Sequence, residues 1–188
     1  MLIRLLDVVF AFFGLLFTFP ILITVIIIGY FDTGSPVFIQ KRMGKNKRPF
    51  KLIKFRTMSV DTKSVASHLA SATSITKLGS FLRKTKIDEL PQLINVLKGE
   101  MSFVGPRPNL FNQEELITER DNRGVYMVLP GITGLAQVKG YRGATDTLEK
   151  MEGRIKYDLE YIRSWSLWLD IKLIVMTVFV GFTNKNAY

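Results

Sequence analysis

No cysteine occurs among the 188 residues. Disulfides, cysteine-ligated zinc and thiol nucleophiles are therefore excluded. Histidine is nearly absent too. The single one, His68, has neither a cysteine nor an acidic pair beside it, and the sequence gives it no role. Acidic residues are scarce: 16 Asp and Glu stand against 26 Lys and Arg, a net charge of +10. That balance points to anionic partners, whether nucleic acid, lipid head groups or phosphorylated substrates. The deficit is also local. Lys41, Arg42, Lys45, Lys47, Arg48, Lys51, Lys54 and Arg56 follow one another with no acid between them. The length suits one domain of modest core plus a membrane element.

Charge is missing from the N-terminus as well. From Leu5 to Phe31 the only charged residue is Asp7, an apolar run long enough for about 30 Å of hydrocarbon. It fits a signal peptide poorly, having no small-x-small cleavage site and only Arg4 as a basic residue ahead of the core. Pro20 falls near its middle, where a proline removes a donor and clashes one turn back. Two topologies stay open on these grounds. One is a kinked spanning helix. The other is a helix–break–helix hairpin with arms too short to span, entering and leaving by one face. Arg4 before the run and the basic stretch after it favour two cytoplasmic ends.

Beyond the Gly34-Ser35-Pro36 turn, Pro36–Gln40 and Phe50–Met58 read as strands around a Gly44–Lys47 turn, a β-hairpin. On its second strand Lys54 and Arg56 are the candidates for substrate contact, and the other lysines suit a head-group-facing edge. Asp61–Thr76 has no firm period and reads as a loop. Leu90, Leu93, Ile94 and Leu97 form the stripe of an amphipathic helix closed by Gly99, with Pro91 in its first turn. Thr85-x-x-Asp88 resembles a capping box. Leu110–Gly124 reads as a charged, exposed helix. Pro130-Gly131-Ile132-Thr133-Gly134 is a turn-rich loop whose glycines let amides approach a ligand. The run Leu173–Phe182 is too short to span. Trp165 and Trp168 suit either the head-group level or the core.

The chemistry concentrates at Asp88-Glu89. Adjacent carboxylates between Arg83 and Arg107 can form plain surface salt bridges. They can also hold Mg²⁺ with substrate phosphate, or supply a nucleophile toward phosphorus. The prolines 106 and 108 restrict the backbone on both sides of Arg107. Fixing an arginine in this way favours an active site in which cations meet phosphoryl oxygens.

Lys54-Phe55-Arg56-Thr57-Met58, the run from Asp88 to Ser102, Val104-Gly105-Pro106-Arg107-Pro108 and the run from Pro130 to Val138 resemble the bacterial sugar transferase family. These are small monotopic phosphoglycosyl transferases that act on undecaprenyl phosphate. The resemblance covers essentially the whole chain and implies an α+β, mostly helical fold. Residues 1–32 would form a re-entrant membrane helix broken at Pro20. Residues 33–188 would form a cytoplasmic catalytic domain with a small β-hairpin and amphipathic interfacial helices, the last of them C-terminal. The implied location is the cytoplasmic face of a bacterial inner membrane. The implied reaction needs Mg²⁺, with Asp88 as nucleophile toward a UDP-sugar and as metal contact, and Glu89 as its acidic partner. Lys54, Arg83 and Arg107 would surround the phosphates, and Pro130, Gly131, Thr133 and Gln137 would help hold nucleotide or sugar. The implied partners are the UDP-sugar, undecaprenyl phosphate and the membrane, with no nucleic acid and with a homodimer through exposed helices in view.

Two residues depart from the family pattern. Phe19 replaces a serine before the membrane proline, leaving Thr18 to supply its hydrogen bond. Leu129 replaces an arginine before Pro130. The chain lacks the extra N-terminal membrane helices of larger relatives, so a minimal catalytic form is expected. Two rival readings are a membrane-anchored basic module that binds anionic lipid or nucleic acid without chemistry, and an inactive relative.

Overall fold

In the computed structural model, residues 2–62, 74–143 and 147–183 are described; His68 and most of the Asp61–Thr76 loop lie outside them. The apolar N-terminus forms α1 (Leu2–Thr33), about 48 Å long at 1.5 Å per residue. By length and hydropathy it could cross a membrane. The expected interruption at Pro20 is not found, since α1 is helical straight through it. One proline costs one ladder bond, and packing of α1 against the domain on both sides of it, at Ala11 and at Leu22 and Val25, holds the helix through the loss. Thr18 Oγ1 donates to the Gly14 carbonyl at 2.6 Å and Thr24 Oγ1 to Pro20 itself, so Thr18 does not serve the carbonyl one turn before Pro20.

The face that α1 turns inward has residues three or four apart, the stripe of a docked helix. Arg4 donates to the carbonyls of Val96 and Leu97, at 2.5 and 2.8 Å. Asp7 accepts from Ser102 Oγ and the Phe103 amide. Ala11 enters the core, Gly14 lies against Leu93, and Leu22 and Val25 pack with Phe55 and Leu82. The opposite face, from Leu5 and Phe10 to Phe31, is exposed and apolar. Both halves of α1 therefore rest on the same domain.

The hairpin forms as expected. β1 (Val37–Met43) pairs antiparallel with β2 (Pro49–Phe55), Phe38 opposite Lys54 and Met43 opposite Pro49, around a turn at Lys45–Lys47. Phe50 and Leu52 point inward to Ala11, Leu93, Val96 and Met101. The next helix, α2 (Lys77–Thr85), was not anticipated. Its sequence is short and offers Leu78, Phe81 and Leu82 as apolar residues, of which Phe81 stays exposed, and Gly79 argues against a helix. The glycine is there because α2 lies directly on Thr57: a Cβ at position 79 would come within 2.1 Å of the Thr57 carbonyl oxygen. Thr76 caps it by accepting from the Gly79 amide. The Thr85 capping box does not form. Thr85 closes α2 instead, donating Oγ1 to the carbonyls of Phe81 and Leu82.

α3 (Gln92–Lys98) follows, ended by Gly99 with φ +82°. It buries Leu93 and Val96 with Gln92 and Asn95, while Ile94 and Leu97 are only half-buried. Asn95 ties it to β2, donating to the Lys51 carbonyl and accepting from the Ile53 amide.

β3 (Ser102–Val104) pairs in parallel with β4 (Gly131–Thr133). Pro130–Gly134 is therefore a strand with its flanks rather than a loop. Between them runs α4 (Glu114–Asn122), which is charged but not wholly exposed, since Leu116 and Arg120 are buried. α5 (Leu135–Val138), α6 (Leu148–Ser164) and α7 (Leu167–Thr183) complete the chain. α7 packs Leu173 against Val104, Leu135 and Tyr161 and leaves Trp168, Ile171, Val175 and Val178 exposed. Both tryptophans are exposed, Trp168 the more so, and Trp165 also donates its indole N–H to the buried Asp170.

Candidate active site

Asp88 and Glu89 sit in a single tight turn, Ile87–Glu89, between α2 and α3. The chain enters it through Lys86, which is left-handed at φ 60°, and leaves through Leu90 and Pro91. That turn sends the two neighbouring carboxylates into different surroundings.

Glu89 collects cations. Lys54 Nζ from β2 donates to Oε1 at 3.0 Å. Arg107 pairs with Oε1 and Arg142 with Oε2, each at 3.4 Å. Burial alone would raise its pKa, but the three cations outweigh burial and hold the carboxyl well below the ordinary range. Asp88 has the opposite balance. It is buried, its Oδ1 has no hydrogen-bond partner, and burial with the charge of Glu89 raises its pKa against Lys54, Lys86 and Arg83. Arg83 is half-buried with its Nε donating to Thr57 Oγ1 at 2.9 Å. Its guanidinium remains near enough to favour an ionised Asp88.

The Pro106-Arg107-Pro108 segment is held by two further arginines acting on its carbonyls. Arg42 of β1 donates to the Pro108 oxygen at 3.2 Å. Arg120 of α4, 1% exposed, donates to the Arg107 oxygen at 2.9 Å and to Asn109 Oδ1 at 3.0 Å. The charge of Arg120 is balanced by Asp158 of α6 at 2.5 Å. Prolines limit the backbone angles of this segment, and buried donors fix where it lies.

The turn at residues 141–143 is anchored in a similar way. Arg154 of α6 donates to the carbonyls of Tyr141 and Gly143, and the Tyr141 ring lies against Gly153 and Tyr157. This brings Arg142 onto Glu89. The sequence alone does not place Arg142 beside the acidic pair. Arg42, Lys86 and Arg120 carried no individual role, because the partner of an arginine or lysine is decided by the tertiary fold.

Of the residues expected at a site, the structure brings Asp88, Glu89, Lys54 and Arg107 together and places Arg83 beside Asp88. Arg56 goes elsewhere: its Nε donates to the Ser35 carbonyl at 2.7 Å, bracing the exit from α1. Thr133 Oγ1 bonds Thr177 Oγ1, and Gln137 Nε2 donates to the Ile132 carbonyl. Gly131 packs backbone to backbone on Gly105, where a Cβ would meet the Gly105 nitrogen at 2.1 Å. Pro130 lines a small cleft with Pro106, Pro108 and Tyr126.

A bound Mg²⁺ needs only one or two carboxylates, with substrate oxygens and water completing its shell. The orphaned Asp88 oxygen fits that requirement, whereas Glu89 is already saturated by cations. No group of three or more metal-binding side chains assembles among the described residues.

Comparison with known proteins bears on this arrangement. The UDP-glucose:undecaprenyl-phosphate glucose-1-phosphate transferase of Escherichia coli K12 is 47% identical over 187 residues, 97% of this chain and 40% of that protein. The Caulobacter vibrioides protein of the same name is 42% identical over 190 residues, 98% of this chain and 71% of that one. Galactosyl transferase CpsE of Streptococcus agalactiae is 39% identical over 197 residues, covering 98% and 43%. The chain thus spans 40% of the length of the Escherichia coli relative. Residues 1–184 match the bacterial sugar transferase family, and the chain belongs to it.

Proposed function

We propose that this protein transfers a sugar 1-phosphate from a UDP-sugar to undecaprenyl phosphate through a covalent intermediate on Asp88, releasing UMP. The observation that carries the proposal is the division of labour in the acidic pair. Glu89 holds Lys54, Arg107 and Arg142 in one cluster, and Asp88 presents an unpartnered carboxylate oxygen beside them. In the first step an Asp88 oxygen forms a bond to the β-phosphorus of the donor. The bond from that phosphorus to the bridging oxygen breaks, and UMP leaves with the electron pair. In the second step an oxygen of the lipid phosphate attacks the same phosphorus. The Asp88 carboxylate is released, and the diphosphate-linked sugar lipid departs. Lys54, Arg107 and Arg142 neutralise phosphoryl oxygens as the bonds change hands. Mg²⁺ bound at Asp88 would add positive charge at those same oxygens.

The relatives named for glucose and for galactose make UDP-glucose and UDP-galactose the first donors to test. We place the enzyme on the cytoplasmic face of the bacterial inner membrane, with α1 embedded and not crossing, because both halves of α1 dock on one domain. UMP release would be followed with Mg²⁺, undecaprenyl phosphate and a panel of UDP-sugars, wild type beside Asp88→Asn. Release with one donor and its loss in the variant is expected. Turnover retained by Asp88→Asn would remove Asp88 as the nucleophile.

A further inference from the structure

We propose that Lys86 is a further substrate-binding residue, whose ammonium takes a phosphoryl oxygen of a bound substrate. The inference rests on the transfer reaction proposed above. Lys86 has φ 60° and ψ 13°, the left-handed region, at the junction of α2 and the Asp88 turn. Glycine or asparagine is the usual occupant of that position, and a side chain with a Cβ is disfavoured there. A lysine at such a junction gains nothing for the backbone. Its side chain supplies the reason.

The Lys86 side chain is half-buried and lies within electrostatic range of Asp88, Glu89, Arg107 and Arg142. The other cations of the cluster already have partners. Lys54, Arg107 and Arg142 are paired to Glu89, and Arg83 is bonded to Thr57. Lys86 has no hydrogen bond or ion pair from its ammonium to any described residue. A phosphate anion entering beside the unpartnered Asp88 oxygen would give the ammonium a direct partner. Two sources of that phosphate exist in the reaction, the donor diphosphate and the lipid monophosphate.

The backbone at this position gives the test a useful asymmetry. Lys86→Gly relieves the left-handed strain and removes the ammonium together. The melting temperature of Lys86→Gly is expected to hold or rise, while ligand recognition weakens about tenfold, the loss of one charge-assisted hydrogen bond. Lys86→Arg should recover most of that recognition. UDP affinity by calorimetry reports on the donor site, and the KM for undecaprenyl phosphate in nanodiscs reports on the acceptor site. A tenfold loss in the first assigns Lys86 to the donor diphosphate, and a loss confined to the second assigns it to the lipid phosphate. If Lys86→Gly binds UDP and uses the lipid as wild type does, the proposal is overturned. Should wild type itself neither bind UDP nor release UMP, the transfer reaction fails, and this inference fails with it.

Discussion

Asp88 and Glu89 are adjacent in sequence and opposite in their response to pH. Glu89 has a depressed pKa because Lys54, Arg107 and Arg142 overcome the cost of its burial. Its stabilising effect is present above the ordinary glutamate value and is lost as pH falls toward its folded value. Asp88 has a raised pKa, from burial and then from Glu89. Its contribution is present below the ordinary aspartate value and is lost as pH rises through its folded value, so ionising Asp88 in the folded protein costs stability. Two substitutions one residue apart should therefore move thermal unfolding in opposite directions at pH 7. Glu89→Gln leaves three cations without their partner. It is expected to destabilise by about 2–3 kcal/mol, below the range for fully buried pairs because the cations retain some solvent. Asp88→Asn removes a buried charge and is expected to raise the melting temperature while abolishing transfer. A fall in both variants would contradict this division of charge. The acidic pair, Lys54 and Arg107 were legible in the sequence because their types and spacing already suggest phosphate chemistry. Arg142 was not, because it reaches Glu89 only after α6 anchors its turn through Arg154 and Gly153.

Among the elements, α4 shows most clearly where sequence patterning stops short. Its acids and arginines read as a solvated face, yet Arg120 is fully buried between Arg107, Asn109 and Asp158. A charge pattern shows that a helix is polar, and it does not show which charge the fold will enclose. The hairpin and α3 were easier, because alternation and a 3.6-residue stripe follow directly from one buried face. α2 was hidden because its backbone contact with Thr57 demands a glycine that local propensity counts against a helix. Arg120→Ala should cost about 3–5 kcal/mol in chemical denaturation, since it strands Asp158 in the core. Replacing both partners, Arg120→Met with Asp158→Leu, should recover most of that stability. The carbonyl of Arg107 stays untethered in the double variant, so UMP release should remain low despite the restored fold. Recovery of activity together with stability would show that Arg120 acts on folding alone.

At the scale of the whole molecule, the question is how a helix of about 48 Å sits in a membrane while bound along its length to one folded domain. A spanning α1 would put either the Arg4–Asp7 half or the Leu22–Val25 half across the hydrocarbon from the residues it touches. Val96, Leu97 and Ser102 hold the first half, and Phe55 and Leu82 hold the second. Both contacts persist only if α1 lies along one leaflet with its exposed aromatic and aliphatic face in lipid. The exposed apolar side of α7 and the positively charged hairpin are consistent with that placement beside anionic head groups. The absence of cysteine makes the arrangement directly measurable. Single cysteines at the two ends of α1, Leu2→Cys and Asp32→Cys, would be treated with a membrane-impermeant maleimide. Both should label in inverted inner-membrane vesicles, and neither should label from outside intact spheroplasts. Labelling of one end from each side would mean that α1 crosses the membrane. Its contacts with α3 and with α2 could not then coexist, and the non-crossing placement would have to be abandoned.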